Sequence, residues 1–145
     1  MRESHETGSA EETQALGRNL AATLRPGDVI AFFGDLGSGK TTMIKGIAVG
    51  LQVKDVVRSP SFIVATHYDG ILRDEPIEVH HIDLYRLRDA SELAEIGFSD
   101  FVAGEGITLI EWAERAKMVL PESAIRVELE LAGEQRRKIT IHNPP

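Results

Sequence analysis

Residues 29–42 read VIAFFGDLGSGKTT, an apolar run followed by a glycine-rich segment that ends in lysine and two threonines. Consecutive apolar residues at 29–33 are typical of a strand buried on both faces in a parallel sheet. Residues 34–41 match the pattern G-x-x-x-x-G-K-[ST], and residues 40–51 place apolar side chains at helical spacing on one face. The stretch therefore predicts a strand, a phosphate-binding loop and a helix, in that order.

The residue types of this loop suit the recognition of a nucleotide's phosphates. Glycines allow successive backbone N–H groups to point inward at phosphate oxygens, and the following helix adds the positive end of its dipole. Lys40 supplies a mobile cation for the β- and γ-phosphates. The Thr41 hydroxyl is placed to ligate Mg²⁺, an ion that prefers oxygen ligands. We therefore predict a nucleotide-binding site at residues 34–41.

Two acidic residues end other apolar strands. Asp83 closes the segment IEVHHID at 77–83, and Glu111 closes ITLIE at 107–111. In an open α/β sheet ligands bind beyond the carboxyl ends of the strands, so both carboxylates are predicted to lie near the phosphates. Asp83 resembles a Walker B aspartate that holds Mg²⁺ directly or through water, while Glu111 is suited to ligate the metal or to orient the attacking water. Which of them binds the metal directly stays open, and solvated acids at strand edges are the alternative.

The remaining segments indicate one α/β domain that spans residues 1–145. Residues 1–8 are polar and expected to be loose, and the capping-box pattern SAEE at 9–12 predicts a helix that runs to about Leu24. Further predicted elements are a hairpin of strands 62–68 and 77–83 with turn chemistry at Asp69, Gly70 and Pro76, a short capped helix at 89–97, and a C-terminal antiparallel hairpin of strands 125–131 and 138–141. The predicted fold class is a P-loop NTPase-like domain, with a central, mainly parallel sheet flanked by helices, antiparallel edge strands and a C-terminal hairpin.

The composition excludes several classes of protein. A length of 145 residues suits one domain, 42% hydrophobic residues suffice for a packed core, and the absence of cysteine excludes disulfides and thiolate metal sites. The formal net charge of −7 argues against a broad basic surface for nucleic acid or for an anionic membrane. Neither a signal-peptide pattern nor an apolar stretch of about 18 residues occurs, so we expect a cytoplasmic protein that does not bind membranes.

Two further features each permit two interpretations, and a pair of histidines permits one. Residues 59–62, SPSF, form either a switch segment that senses the γ-phosphate or an ordinary proline turn. Trp112, the single tryptophan, packs either in the core or beside the nucleotide, and core burial is the commoner outcome for this residue type. His80 and His81 are expected to point to opposite faces of their strand, one as a packed core histidine, and neither is predicted to be catalytic.

Four motifs occur together along the chain: GDLGSGKTT at 34–42, SPSF at 59–62, HIDLYRL at 81–87 and IEW at 110–112. In combination they resemble the TsaE family, the small bacterial ATPases of the tRNA threonylcarbamoyladenosine (t6A) modification system. SPSF and HIDLYRL are far more specific to that family than the phosphate loop is. The resemblance covers most of the chain, from the capped first helix to the final hairpin.

The resemblance implies an ATPase that uses ATP and Mg²⁺. The implied partners are the TsaD and TsaB proteins, of which TsaD transfers the threonylcarbamoyl group to adenosine of tRNA. The tRNA is then reached only indirectly, through these partners, which is compatible with the acidic charge of this chain. No arginine identifies itself as an arginine finger, although Arg86 is a candidate in cis, so we expect slow hydrolysis alone and faster turnover with the partners.

The resemblance also assigns roles to individual residues. Catalytic roles fall on Lys40, Asp83 and Glu111, and metal ligation falls on Thr41, Glu111 and Asp83. Nucleotide contacts fall on Ala10, Leu36, Gly37, Ser38, Gly39, Lys40, Thr41, Thr42, Trp112 and Arg136, with Arg137 as the alternative to Arg136. Ser61 and Ala113 stand where the family usually has threonine and proline, which affects switch packing and local rigidity more than chemistry.

Two other functions are compatible with a phosphate loop. A small-molecule kinase normally needs a lid with arginines over the phosphates, and residues 98–106 are short and contain no arginine or lysine. A non-hydrolysing, nucleotide-dependent adaptor would need the loop but not the catalytic carboxylates. Substitution of Asp83 and Glu111 therefore separates the ATPase from the adaptor.

Overall fold

The structure is a computed structural model that describes residues 2–55, 57, 65–89 and 91–144. In these residues a mixed sheet of seven strands forms the centre of the fold. In chain order the strands are β1 (Arg2–Thr7), β2 (Val29–Phe33), β3 (Ala65–Leu72), β4 (Glu75–Asp83), β5 (Ile107–Glu111), β6 (Ile125–Leu131) and β7 (Arg137–His142). The helices are α1 (Ala10–Ala21), α2 (Lys40–Gly50), α3 (Ser91–Glu95), α4 (Phe98–Ala103) and a 3-10 helix at Ala113–Val119. The predicted switch segment at 59–62 lies outside the described residues.

The sheet is parallel at its centre and antiparallel at both edges. Across the sheet the strand order is β1-β7-β6-β2-β5-β4-β3. The neighbours β6, β2, β5 and β4 run parallel, whereas β1 with β7, β7 with β6, and β4 with β3 are antiparallel pairs. The predicted fold class is therefore confirmed, and the C-terminal hairpin joins the parallel centre through β6.

Helices cover both faces of the sheet, which explains why β2 is apolar throughout. Ile30 and Phe32 belong to the cluster of buried side chains under α1 and α2, together with Met43 of α2. Val29 and Ala31 belong to the cluster on the opposite face, under α3, α4 and the 3-10 helix. Because alternate residues of a strand point to opposite faces, a strand covered on both sides needs apolar residues at every position.

Helix α1 begins with a modified form of the predicted capping box. The Ser9 hydroxyl oxygen accepts a hydrogen bond from the backbone N–H of Glu12 at 3.2 Å. The Glu12 carboxylate accepts from the backbone N–H of Gly8 at 3.2 Å, one residue before the usual partner. These bonds pair backbone donors that the first turn of a helix leaves without intrahelical partners. The helix ends at Ala21, earlier than the predicted end near Leu24.

Two glycines allow α1 and α2 to pack with their backbones in close contact. A Cβ atom at Gly46 would lie 2.0 Å from the Gln14 carbonyl oxygen, and one at Gly17 would lie 2.2 Å from the Met43 carbonyl oxygen. Both distances are far below a van der Waals contact, and the atoms met belong to the backbone, so they cannot rotate away. These glycines therefore set the distance between α1 and the helix that follows the phosphate loop.

Gly46→Ala is expected to destabilise the fold by about 1–3 kcal/mol or more, because the added methyl group forces α1 and α2 apart. Helix propensity alone would act in the opposite direction and stabilise the protein by about 0.5–1 kcal/mol, so the sign of the change tests the contact. The measurement is the free energy of unfolding in urea, with Val49→Ala at an exposed position of the same helix as control. A Gly46→Ala protein of equal or greater stability would contradict this packing.

The N-terminal residues, expected to be loose, form an edge strand instead. Strand β1 pairs with β7 in continuous register, from Arg2 opposite His142 to Thr7 opposite Arg137. Most side chains of β1 are exposed, so hydrophobic patterning carries no signal for this strand. Its backbone hydrogen bonds come from the far end of the chain, which local sequence does not reveal.

The β3–β4 hairpin was predicted with the correct partners but with the wrong turn. The turn lies at Arg73 and Asp74, both with positive φ, as in a two-residue hairpin turn. Gly70 and Pro76 lie inside the paired strands. A Cβ atom at Gly70 would lie 2.7 Å from the Leu51 carbonyl oxygen, so this glycine serves close packing against the end of α2 and not a turn.

The segment after the short helix α3 forms a second short helix, α4, that the sequence did not predict. Phe98 is buried, and the Phe101 ring lies 4.9 Å from the His80 ring between centroids. These contacts hold α4 on the face of the sheet opposite α1 and α2. Like the other helices of the described residues, α4 is not long and apolar enough to cross a membrane.

Candidate nucleotide-binding site

A cavity of about 450 Å³ lies at the N-terminus of α2, where β2 and β5 end. Its wall contains residues 36–42 of the phosphate loop and of α2, together with Ala10 of α1. Glu111 and Trp112, at the end of β5, also line the cavity, as the strand end predicted for Glu111. The volume falls within the range of about 300–1,000 Å³ that is typical of small-molecule sites. Glu134, Gln135 and Arg137 of the last hairpin also line the cavity, so the fold brings together four segments that are far apart in sequence.

The phosphate loop turns sharply between β2 and α2. Gly39, the residue before α2, has φ 102° and ψ 13°, a left-handed conformation that glycine adopts without steric penalty. At Gly34 a Cβ atom would lie 2.6 Å from the Leu129 carbonyl oxygen. The buried Ser38 hydroxyl has no hydrogen-bond partner among the described residues, and no side chain there caps the start of α2. This helix start therefore offers polar groups to an anion.

Lys40 is buried at the cavity and its ammonium group is held by backbone and aromatic contacts. Its Nζ donates to the carbonyl oxygens of Gly34 and Asp35, the latter at 3.2 Å. Nζ also lies 3.6 Å from the centroid of the Trp112 ring, a cation–π contact. Burial lowers the pKa of Lys40, although nearby carboxylates, Glu114 first among them, oppose that shift. A phosphate, with its full negative charge, is a stronger partner for this cation than a neutral carbonyl oxygen.

Both oxygens of the Glu111 carboxylate are held in place. The Thr41 hydroxyl donates to Oε1 at 2.8 Å, and Nε2 of His81 lies 2.6 Å from Oε2. Glu111 is only 2% exposed. Burial by itself would raise the pKa of Glu111, but the hydrogen bonds from His81 and Thr41, together with the positive charges of His81 and Lys40, hold the pKa below its ordinary value. Glu111 is therefore ionised at neutral pH, next to the hydroxyl at the start of α2.

Asp83 lies beside Glu111 but does not line the cavity. Asp83 and Glu111 are paired residues of the parallel strands β4 and β5, so their side chains leave the same face of the sheet. Asp83 Oδ1 accepts a hydrogen bond from the backbone N–H of Tyr85 at 2.9 Å. Burial raises the pKa of Asp83, although the bond from Tyr85 opposes that shift. Of the two predicted acids, Glu111 is thus the one that reaches the cavity wall.

The oxygen atoms of Thr41 and Glu111 fit a magnesium ion. Mg²⁺ usually binds through one or two carboxylates and completes its shell with waters and substrate phosphates. Among the residues that the structure describes, no group of three or more His, Cys, Asp or Glu side chains could hold a metal ion. The donor set therefore suits a Mg²⁺ that is shared with a nucleotide, and it does not suit a closed structural metal site.

The structure places Arg137 at the cavity, whereas Arg136 does not line it. Arg137 Nη2 donates to the carbonyl oxygen of Gly37 in the phosphate loop at 3.0 Å, and Nη1 donates to the Arg136 carbonyl oxygen at 2.8 Å. Arg137 is the first residue of β7, and Arg136 precedes the strand. The geometry therefore favours Arg137 over Arg136 at the cavity wall, and the contact of either arginine with a nucleotide stays a prediction.

Similarity to known proteins extends over nearly the whole chain. Residues 7–139 match the family model described as threonylcarbamoyl adenosine biosynthesis protein TsaE. The chain belongs to the TsaE family. Relatives named tRNA threonylcarbamoyladenosine biosynthesis protein TsaE include one from Bacillus subtilis (strain 168), 39% identical over 135 residues, which are 92% of this chain and 81% of that protein. Another, from Aquifex aeolicus (strain VF5), is 38% identical over 136 residues, which are 92% of this chain and 91% of that protein.

The fold of the TsaE-family chain also has a solved counterpart. A crystal structure of Bacillus subtilis YdiB matches it with a TM-score of 0.83 and 32% sequence identity. The match covers 100% of this chain and 87% of that one. Family membership confirms the resemblance seen in the sequence motifs. Of those motifs, residues 34–42, 81–87 and 110–112 contribute side chains at or next to the cavity.

Trp112 of this TsaE-family chain lies between the core and the cavity, so it partly fits both positions that the sequence left open. It lines the cavity, is only partly buried against the core, and its ring contacts Lys40 and the Tyr85 ring, the latter at 4.9 Å between centroids. Its backbone has φ 58°, a left-handed conformation unusual for a residue with a side chain. This conformation follows the end of β5 directly and turns the chain beside Glu111.

Two residues near the TsaE-family site were not assigned to it from sequence. His81 is a buried histidine as predicted, and it also contacts the Glu111 carboxylate. Its spacing was a usable signal, because His81 and Asp83 are two residues apart on one strand and share a face. Glu114 accepts a hydrogen bond from the backbone N–H of Gly34 at 3.2 Å. No local pattern reveals that contact, since it joins the 3-10 helix to the start of the phosphate loop.

Proposed function

We propose that this TsaE-family protein is the Mg²⁺-dependent ATPase subunit of the cytoplasmic system that makes t6A on tRNA. The observation that carries the proposal is the arrangement of Lys40, Thr41 and Glu111 around one cavity at a helix N-terminus. A cation, a hydroxyl and an ionised carboxylate are the groups that phosphoryl-transfer sites use to position phosphates and metal. Names of relatives in t6A biosynthesis support the pathway in which this activity would act.

Within this proposal each residue has a defined task. Lys40 and the N–H groups at the start of α2 bind the β- and γ-phosphates, and Arg137 contacts the nucleotide from the last hairpin. Thr41 and Glu111 would hold Mg²⁺, with Asp83 acting on it through a water molecule. When bound, Mg²⁺ neutralises the negative charge that develops on the phosphate oxygens during phosphoryl transfer.

In this proposal, residues at the start of α1 line the part of the cavity that binds the adenine base. Ala10 lines the cavity there together with Ser9 and Thr13. The Thr13 hydroxyl is hydrogen-bonded to the Thr7 hydroxyl at 2.7 Å, which ties this wall to β1. Small side chains at these positions leave room for a flat base, so the wall recognises shape more than charge.

Slow hydrolysis by the isolated chain follows from how its cavity arginine is held. Arg137 donates to backbone carbonyl oxygens of the last turn and of Gly37, so its guanidinium is tethered at the loop. An arginine that stabilises the transition state must reach the γ-phosphate, and such a group raises hydrolysis rates by roughly 10³–10⁵-fold. We therefore propose that the TsaD and TsaB partners complete the catalytic arrangement, and that hydrolysis in turn resets or activates their complex.

The same partners would supply the surface that binds tRNA, since the net charge of this chain is −7.

ATP hydrolysis by the isolated protein is expected to accelerate at least about tenfold when TsaD and TsaB are added, because the partners supply transition-state stabilisation that the isolated chain lacks. The measurement is the rate of phosphate release at saturating Mg²⁺–ATP, with and without both partners. A complex assembled with Lys40→Ala is the control and should show no stimulation. An isolated protein that already hydrolyses ATP at the full rate of the complex would contradict the proposal.

A small-molecule kinase is disfavoured by the position of α4. A kinase lid must close over the phosphates, whereas α4 is fixed by the buried Phe98 on the sheet face that α1 and α2 do not cover. The adaptor remains the alternative. The adaptor hypothesis predicts that loss of ATP hydrolysis leaves the function of the TsaD–TsaB complex intact, and substitution of Glu111 tests this directly.

A further inference from the structure

His81 contributes to the site although it does not line the cavity. It lies on β4, two residues before Asp83, and its ring is fully buried on the sheet face that α1 and α2 cover. Nε2 lies 2.6 Å from Glu111 Oε2, while the other carboxylate oxygen, Oε1, accepts from Thr41. The carboxylate plane is therefore defined at both ends, by one residue that faces the cavity and one that does not.

The geometry of this contact defines the roles of the two atoms. An ionised carboxylate only accepts hydrogen bonds, so His81 Nε2 carries the proton and donates it. A carboxylate that loses a hydrogen bond to one of its two oxygens rotates more easily about its terminal torsion, which is broad. Removal of the imidazole would therefore allow the Glu111 carboxylate to turn away from Thr41, although His81 itself does not line the cavity.

Packing alone gives no reason for an imidazole at this position. The Nδ1 atom of His81 is buried and has no hydrogen-bond partner among the described residues. A buried polar atom without a partner is unfavourable, and an apolar side chain of similar size would avoid it. What the imidazole provides that an apolar side chain cannot is the bond to Glu111.

We propose that His81 is a positioning residue that orients the Glu111 carboxylate for Mg²⁺ bound together with the nucleotide. The inference rests on the proposed function, since it assumes that Glu111 faces the metal. Mutation of a residue that contacts a ligand of the metal, and not the metal itself, typically changes metal affinity by roughly 10–100-fold. The contacts between protein and phosphate stay in place.

The test is the Mg²⁺ dependence of nucleotide binding by the full chain. A fluorescent ATP analogue is titrated into wild type, His81→Leu and His81→Gln, in EDTA and over a series of Mg²⁺ concentrations. For His81→Leu the Mg²⁺ concentration at half effect is expected to rise about 10–100-fold, while affinity in EDTA stays within about twofold. His81→Gln retains a donor near the position of Nε2 and should recover most of the loss.

His80→Gln is the matched control, because His80 is the next residue of the same strand and points to the opposite face, where it contacts His67 and Phe101. It should leave the Mg²⁺ dependence unchanged. If His81→Leu does not fold, His81→Asn takes its place, since the asparagine amide is too short to reach Oε2. In a Glu111→Gln background, His81→Leu should have no additional effect on the Mg²⁺ requirement.

Three results separate the inference from the function on which it rests. A His81→Leu protein with the wild-type Mg²⁺ requirement overturns the positioning role and leaves the proposed function standing. Equal loss of nucleotide affinity in EDTA and in Mg²⁺ indicates a role in folding only, and it also overturns the inference. A wild-type protein whose nucleotide affinity does not respond to Mg²⁺ at all contradicts the proposed function itself.

Discussion

Lys40→Ala is expected to weaken ATP binding at least about 100-fold. The Lys40 ammonium lies at the cavity wall, where it contacts the carbonyl oxygens of Gly34 and Asp35 at the start of the phosphate loop. Hydrogen bonds to charged groups contribute roughly 1.5–3 kcal/mol each, and this lysine is expected to reach two phosphates. Loss of about 2.7 kcal/mol corresponds to the expected 100-fold change in affinity.

The measurement is a calorimetric titration of ATP into wild type and Lys40→Ala. Lys45→Ala is the matched control, because Lys45 lies on the same helix and is exposed, so the net charge changes equally without a change at the cavity. The control should bind ATP within about twofold of wild type, since surface charges are largely screened. Retention of ATP affinity by Lys40→Ala would show that the cavity is not the phosphate site.

Glu111→Gln is expected to lower the rate of ATP hydrolysis about 100–1,000-fold, as removal of one preorganised group commonly does. Glutamine keeps the size of the side chain but loses the charge, so it is a poor Mg²⁺ ligand and cannot accept from both Thr41 and His81 as the carboxylate does. Nucleotide affinity in EDTA should equal or exceed the wild-type value, because the Glu111 carboxylate does not bind phosphate and its negative charge, which repels phosphate, is removed. The expected signature is thus lost hydrolysis with retained binding.

The same variant separates the ATPase from the adaptor. Formation of t6A is measured in a mixture that contains TsaD and TsaB, with Glu130→Gln as control because Glu130 is an exposed residue of β6. The ATPase predicts that Glu111→Gln stops repeated cycles of modification while Glu130→Gln has no effect. Normal t6A formation by Glu111→Gln, despite lost hydrolysis, would favour the adaptor.

The elements around the phosphate loop could be predicted closely because their signals are local. Strand β2 has the predicted bounds, and α2 starts at Lys40 as expected. An apolar run, a glycine-rich loop and helical spacing each depend on neighbouring residues only. The edge strand β1 and the turn at Arg73–Asp74 escaped prediction, since pairing partners and close approaches such as that of Gly70 depend on distant segments.

Within the site, the sequence alone predicted which residues would carry phosphate and metal chemistry, because that chemistry requires particular residue types at particular spacings. Lys40, Thr41 and Glu111 meet at one cavity as the strand ends predicted. Only the tertiary structure decided that Glu111 faces the cavity while Asp83 is set back, and that Arg137, of the two arginines left open, contacts the phosphate loop. The physical reason is that side-chain direction depends on strand register and on contacts across the sheet, which bring together residues that are distant in the chain.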